Sequence, residues 1–187
     1  MSTTTTTTIE QTTGTWTIDP SHTRVGFSAK HAMVATVRGQ FNEFEGNLSL
    51  DGSAPEQSSA ELTIKAGSIS TGSDDRDNHL RSGDFLDIET YPELTFRSTG
   101  VRYEGGDDFV MTGDLTIRGT TRPVELKVDL EGLASDPFGN ERIGFSGETT
   151  ISRKDFGLTW NVALEAGGVL VSDKVKITLD VSAIKQS

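Results

Sequence analysis

The feature that most restricts what this chain can fold into is a period-two alternation of apolar and polar residues, recurring between glycine-rich turns from Gly14 onward. Successive side chains of an extended strand point to opposite faces, so each run specifies a strand with one apolar and one wet face. Val25, Phe27 and Ala29 alternate with Arg24, Gly26, Ser28 and Lys30, and Phe44, Gly46, Leu48 and Leu50 with Glu45, Asn47 and Ser49. The pattern returns in Ala60 to Ala66, Leu94 to Arg97, Met111 to Arg118, Val124 to Leu130, Ile143 to Ile151 and Val175 to Val181. Turn signals such as Asp51-Gly52, Gly105-Gly106, Gly119-Thr120 and Asp136-Pro137 separate the runs. With Trp16–Ile18 this predicts about eight or nine strands.

One-sided strands need cover, and the chain encodes too few helices to cover a flat sheet. A long antiparallel sheet without cover must curl on itself or split. About eight strands close into a barrel whose interior either fills with side chains or holds one small ligand. The apolar parity includes Ala29, Gly46, Ala66, Gly113 and Gly147. These small residues either leave room inside or mark bends in the wall.

A single helix is clearly encoded, in Ser73–Asp87. Ser73 suits an N-cap, and Asp74 and Asp75 lie at the positive end of the dipole. Arg81 falls in the last turn, with Gly83 placed to end the helix in the left-handed conformation. Two turns are unstable alone, so Leu80, Phe85, Leu86 and Ile88 are expected to press on the sheet, making the segment a plug or lid.

The totals bound the rest. A chain of 187 residues suits one domain, with residues 1–13 read as a disordered threonine-rich tail and 14–187 as the barrel domain. The net charge of -11 argues against nucleic acid and anionic membrane surfaces as partners. No cysteine is present, which excludes disulfides and thiolate chemistry. Six threonines follow Met1-Ser2, with no basic and apolar leader pattern, so a cytoplasmic protein is expected. No apolar run approaches the ~20 residues of a membrane span, and no stable membrane insertion is expected.

Catalytic signatures are missing. His22, His31 and His79 show no metal-ligand spacing, and no GxSxG occurs. Asp155-Phe156-Gly157 lacks the other elements of a kinase. No catalytic residue, metal or cofactor is therefore assigned. The abundance of Phe27, Phe41, Phe44, Phe85, Phe96, Phe145, Phe156 and Trp160 along a closing sheet fits either a plain core or a carrier for a long apolar ligand.

Several separated motifs carry a resemblance. They are Trp16-Thr17-Ile18-Asp19-Pro20-Ser21-His22-Thr23, Thr36–Phe41, Arg76–Asp87, Tyr91–Phe96, Leu115–Val124, Arg142–Phe145 and Ser152–Gly157. Taken in this order, the chain resembles the YceI-like proteins, bacterial polyisoprenoid-binding proteins of lipocalin-like fold. The resemblance implies an all-β antiparallel barrel with one short helix capping or flanking it. It also implies a homodimer and an elongated apolar pocket for a polyisoprenoid, an isoprenoid quinone or a similar lipid. It implies no catalytic residues.

Inward parity then nominates Val25, Phe27, Phe44, Leu48, Leu62, Ile64, Phe96, Met111, Leu115, Leu126 and Phe145 as lining. Phe41 and Phe85 are placed nearer a mouth gated by the helix and by a loop from Val34 to Phe41, with Arg38 there to meet a polar head group. The competing readings are a filled barrel acting as a stress-response or interaction module, and an enzyme acting on an isoprenoid lipid.

Overall fold

In the computed structural model, which describes residues 9–165 and 167–186, the alternating runs become eleven antiparallel strands of one sheet. In chain order they are β1 (Gly14–Ile18), β2 (Arg24–His31), β3 (Ala35–Phe41), β4 (Phe44–Leu50), β5 (Ser59–Lys65) and β6 (Ile69–Ser70). Helix α1 (Asp74–Arg81) follows, then β7 (Glu93–Gly105), β8 (Asp108–Ile117), β9 (Thr120–Ser135), β10 (Glu141–Ser152) and β11 (Val171–Lys185).

The first six strands are three staves, each broken by a bend. β1 pairs with β4 while β2 pairs with β3, and β4 pairs with β5 while β3 pairs with β6. β11 closes the ring, pairing with β10 on one edge and with both β2 and β1 on the other. The result is a closed eight-stranded barrel with α1 at one end, the curled form of the two that the alternation leaves open and the one that the resemblance implies. The bend between β1 and β2 is encoded locally: Pro20 opens a 3-10 turn, and the Asp19 carboxylate accepts the Ser21 N–H.

Strand direction gives the barrel two unlike ends. Helix α1, the β2–β3 and β8–β9 hairpins and the β10–β11 connection cluster at one end. The opposite end carries residues 9–13, the β4–β5 turn, the β7–β8 hairpin and the β9–β10 turn. Two apolar clusters follow this polarity. The larger lies under the helix and includes Val25, Phe44, Ile64, Leu94, Leu115 and Phe156, with Phe85 and Leu86 from the segment after α1. The smaller, around Trp16, Leu48, Leu130, Ile143 and Ala183, lies toward the other end.

α1 starts as expected, with the Ser73 hydroxyl accepting from the Arg76 N–H. It ends differently. Ser82 is the C-cap, its Oγ–H and N–H both donating to the His79 carbonyl, and Gly83 is not left-handed. The hydroxyl does what a left-handed glycine would otherwise do, satisfying a free carbonyl of the last turn. Arg81 ties the helix down by donating to the Gly67 and Ile69 carbonyls at 2.9 and 3.0 Å.

Two further expectations change. Residues 35–41 are strand β3 rather than a gating loop, because Val37, Gly39 and Phe41 fall in register with Ala29, Phe27 and Val25. The expected tail of residues 1–13 is not uniform. Residues 1–8 lie outside those described, but Ile9 and Thr12 are 5% and 7% exposed against the barrel. Ile9 is the lone aliphatic side chain of an otherwise polar segment, and burying it supplies the driving force.

Two arginines hold loops in place. Arg153, 3% exposed, donates to four backbone carbonyls: Leu158 (2.6 Å), Ser172 (2.8 Å), Trp160 (2.9 Å) and Val171 (3.2 Å). It thereby staples the β10–β11 connection to the barrel end. Arg142 bridges two carboxylates at the other end, Asp19 at the β1–β2 bend and Asp136 in the β9–β10 turn, each at 2.8 Å. Arg142, then Ser21, holds the Asp19 carboxyl far below the ordinary range; the Asn140 backbone N–H, then Arg142, lowers Asp136 to about 2.

Arg153→Met should cost about 3 kcal/mol in urea unfolding, since it strands several part-buried carbonyls; Arg153→Lys should recover only part, one ammonium being unable to reach all four. Carboxylates with depressed folded pKa stabilise the fold above their unfolded value near 4, and that contribution is lost as pH falls toward about 2. Stability measured across that window should therefore fall in the parent. Arg142→Gln should flatten the slope, with the remainder carried by the Asn140 amide on Asp136 and by Ser21 on Asp19.

Candidate functional site

The inward parity meets in the half of the barrel away from the helix. Phe96 faces Leu62 and Leu115 across its neighbouring strands, Met111 faces Leu126, Phe145 faces Leu130 and Val181, and Gly147 faces Val128 and Leu179. Between them lies a cavity of ≈ 120 Å³ with an almost wholly apolar surface. Its walls come from β1, β4, β5 and β7 through β11, and Ile18, Leu62, Phe96, Leu179 and Val181 border both the cavity and the cluster under the helix. At the other extreme it reaches Ile9, Thr12 and the Asp51–Ser58 turn. The Asp51 carboxylate there is engaged within its turn, accepting from Ser53 N–H, Ser53 Oγ–H and Ala54 N–H.

The mouth is therefore opposite the helix. Residues 9–13 cross it as a compact turn: Thr12 Oγ1 donates to the Ile9 carbonyl at 2.6 Å, the buried Trp16 indole donates to the Thr12 carbonyl at 2.8 Å, and Thr13 Oγ1 accepts the Gly52 N–H at 2.9 Å. A side chain at position 52 would run into the Ile9 carbonyl, so glycine there lets the turn sit close.

Among the residues nominated from sequence, Leu48, Leu62, Phe96, Met111, Leu126 and Phe145 border the cavity. Val25, Phe44, Ile64 and Leu115 lie instead in the filled cluster under the helix, with Phe27 and Phe41 packed against it at 5.6 Å between ring centroids. Phe85 is buried beneath the helix, in an aromatic group with His79 and Trp160. Val34 is 83% exposed in the β2–β3 connection. Arg38 is exposed and pairs with the outward Ser28, so it faces away from the barrel interior. In place of the elongated pocket that the resemblance implies, the interior is divided into a hollow half and a filled half, and α1 caps the filled one.

The inward glycines explain why. Gly39 and Gly113 do not leave space: the rings of Phe27 and Phe96 occupy the positions a Cβ would take. Gly46 is covered by the methyl ends of Ile18 and Leu62. Gly147 differs, bordering the cavity with Leu179 in ordinary contact at 3.6 Å. Residues that parity offered but the nomination passed over, Val128, Leu130, Leu179 and Val181, also line the cavity, as does Ile9, for which no local pattern speaks.

Among the described residues, the polar clusters around His22 and His79 do not assemble a nucleophile. Ser21 Oγ and Asp19 Oδ2 both meet the same His22 nitrogen, Nδ1, at 3.1 and 2.8 Å, whereas a relay needs both ring nitrogens. His79 Nε2 pairs with Asp84 at 2.9 Å while its ring meets Trp160 edge-on. Among the described residues, no three His, Cys, Asp or Glu side chains are grouped to hold a metal ion.

Comparison with known proteins bears on the fold. The YceI-like domain profile matches residues 16–183, so the turn over the mouth precedes the matched region. A UPF0312 protein of Pseudomonas aeruginosa is 38% identical over 165 residues, spanning 88% of this chain and 83% of the relative. The crystal structure of Burkholderia cenocepacia BcnA superposes with a TM-score of 0.76 at 26% identity, over 88% of this chain and 98% of that one. A polyisoprenoid binding domain from Saccharophagus degradans, implicated in plant cell wall breakdown, shares the fold with a TM-score of 0.68 at 15% identity, over 91% and 98% of the two chains.

Ile9→Ser should release the turn over the mouth. In a Trp160→Phe background, iodide quenching of the remaining Trp16 should rise well above that of the parent.

Proposed function

The chain belongs to the YceI-like family, and on that premise we propose that its barrel binds a long-chain apolar lipid, a polyisoprenoid or isoprenoid quinone, for storage or transport without chemistry. The observation that carries the reading is the cavity: an apolar hollow enclosed by a closed barrel, whose two charged border residues are engaged elsewhere, Asp51 within its turn and Glu61 with Arg97 on the outer face. Such a site offers a hydrocarbon transfer from water and offers a polar substrate no buried partners. Support at the level of the fold comes from the likeness to a polyisoprenoid binding domain.

Magnitudes bear on ligand length. Each buried CH₂ contributes about 0.8 kcal/mol, so one isoprene unit of about five carbons contributes about 4 kcal/mol, near the lower bound of the ~4–15 kcal/mol lost on association. Several units must be buried for tight binding. A cavity of ≈ 120 Å³ is comparable to the ~150 Å³ engineered void that accepts benzene in another protein. It holds the end of such a chain, and a longer bound stretch requires side chains to move. The filled half under the helix supports the second reading, a barrel serving as an interaction module. The proposal includes the homodimer implied by the family resemblance.

Native mass spectrometry of protein purified from its own host reads both cargo and stoichiometry: a dimer carrying a long-chain isoprenoid is expected. Gly147→Leu should fill the hollow, weaken farnesol binding at least about tenfold, equivalent to about 1.4 kcal/mol, and leave the unfolding midpoint unchanged or raised. A folded Gly147→Leu protein that binds farnesol like the parent would remove the cavity from the proposal. Failure of the parent to bind any isoprenoid would leave the interaction module as the better reading.

A further inference from the structure

We infer that Phe96, seated on Gly113, sets the length of apolar chain the barrel accepts; this rests on the lipid-binding reading above. Phe96 is the aromatic side chain that belongs to both halves of the interior, bordering the cavity and packing against the cluster under the helix. Its ring occupies the position a Cβ at residue 113 would take. Register shows the direction in which it leans: Phe96 lies opposite Leu115, and Ser98 opposite Gly113, so reaching Gly113 carries the ring away from the helix and along the wall of the hollow. The ring therefore lies flat only because residue 113 has no side chain.

Two substitutions should move the cavity floor in opposite senses. Phe96→Ala removes a ring at the bottom of the hollow. A benzene-sized void and an isoprene unit are of similar size, so the accepted chain should lengthen by about one unit. Gly113→Ala keeps Phe96 but puts a methyl group against its ring and 2.7 Å from the Arg97 carbonyl, so the strand pair must give slightly and the ring, which can rotate, is forced off the wall and into the lumen. The hollow then becomes shallower with no lining residue deleted. The other residues shared by the two halves, Ile18, Leu62, Leu179 and Val181, carry aliphatic side chains. Ile18 and Leu62 also close over a glycine, Gly46, but with methyl ends; only at Gly113 does a glycine seat a ring that borders the cavity.

The experiment titrates the parent, Phe96→Ala and Gly113→Ala with geraniol, farnesol and geranylgeraniol, reading displacement of N-phenyl-1-naphthylamine, with circular dichroism as the check on folding. The best-bound alcohol should shift one isoprene unit longer in Phe96→Ala and one unit shorter in Gly113→Ala. Each shift should change the ratio of neighbouring dissociation constants by about tenfold. Phe96→Leu, which also removes the ring, should shift preference in the lengthening direction should Phe96→Ala not fold. Parallel length profiles in parent and variants, all binding, would overturn the role of Phe96 while leaving the lipid reading standing. Absence of binding by the parent to any of the alcohols would overturn both.

Discussion

β11 is hydrogen-bonded along both edges, to β10 on one side and to β2 and β1 on the other, and the rest of the structure depends on that closure. With it, the one-sided strands turn their apolar faces inward and no long edge is left to pair with another chain. Without it, the same strands would form an open sheet with an uncovered apolar face, and the short helix α1 could shield only a fraction. Closure also demands bends. The Pro20 turn at the first corner breaks one stave into two short strands while the sheet continues around it.

The barrel's two ends then diverge in how they are sealed. At one, α1 and the following segment deliver Phe85 and Leu86 into a close-packed cluster, and Arg81 and Arg153 fasten the connections by donating to backbone carbonyls rather than to carboxylates. At the other, sealing is lighter: a short N-terminal turn, an arginine bridging two carboxylates, and the hollow between. Interiors normally approach crystalline packing density, so a void retained on one side of a well-filled core is a feature to explain. The rings of Phe27 and Phe96 fill the space above two glycines, whereas Gly147 retains its open side. The hollow is thus local, and a single aromatic residue stands at its floor.

Period two in the sequence was sufficient for strand positions and inward parity, because both depend on local backbone geometry. The helix start was equally legible, since Ser73 and the following aspartates act within one turn. Its end was not: Ser82 competes with Gly83 as the cap, and the choice depends on how the chain must turn to bury Phe85. Residues 35–41 looked like a loop because their alternation, through Val37, Gly39 and Phe41, passes through a glycine whose place is filled by Phe27 from the neighbouring strand.

By itself, then, the sequence determined an all-β closed barrel with a short helix, an apolar interior and a family resemblance carried by separated motifs. The tertiary structure alone decided which half of that interior is hollow, that the mouth lies away from the helix, and that Ile9 reaches it. The reason is physical. Parity reports only whether a side chain points inward, whereas volume at a given depth is set by the rings and methyl groups that neighbouring strands bring to the same place.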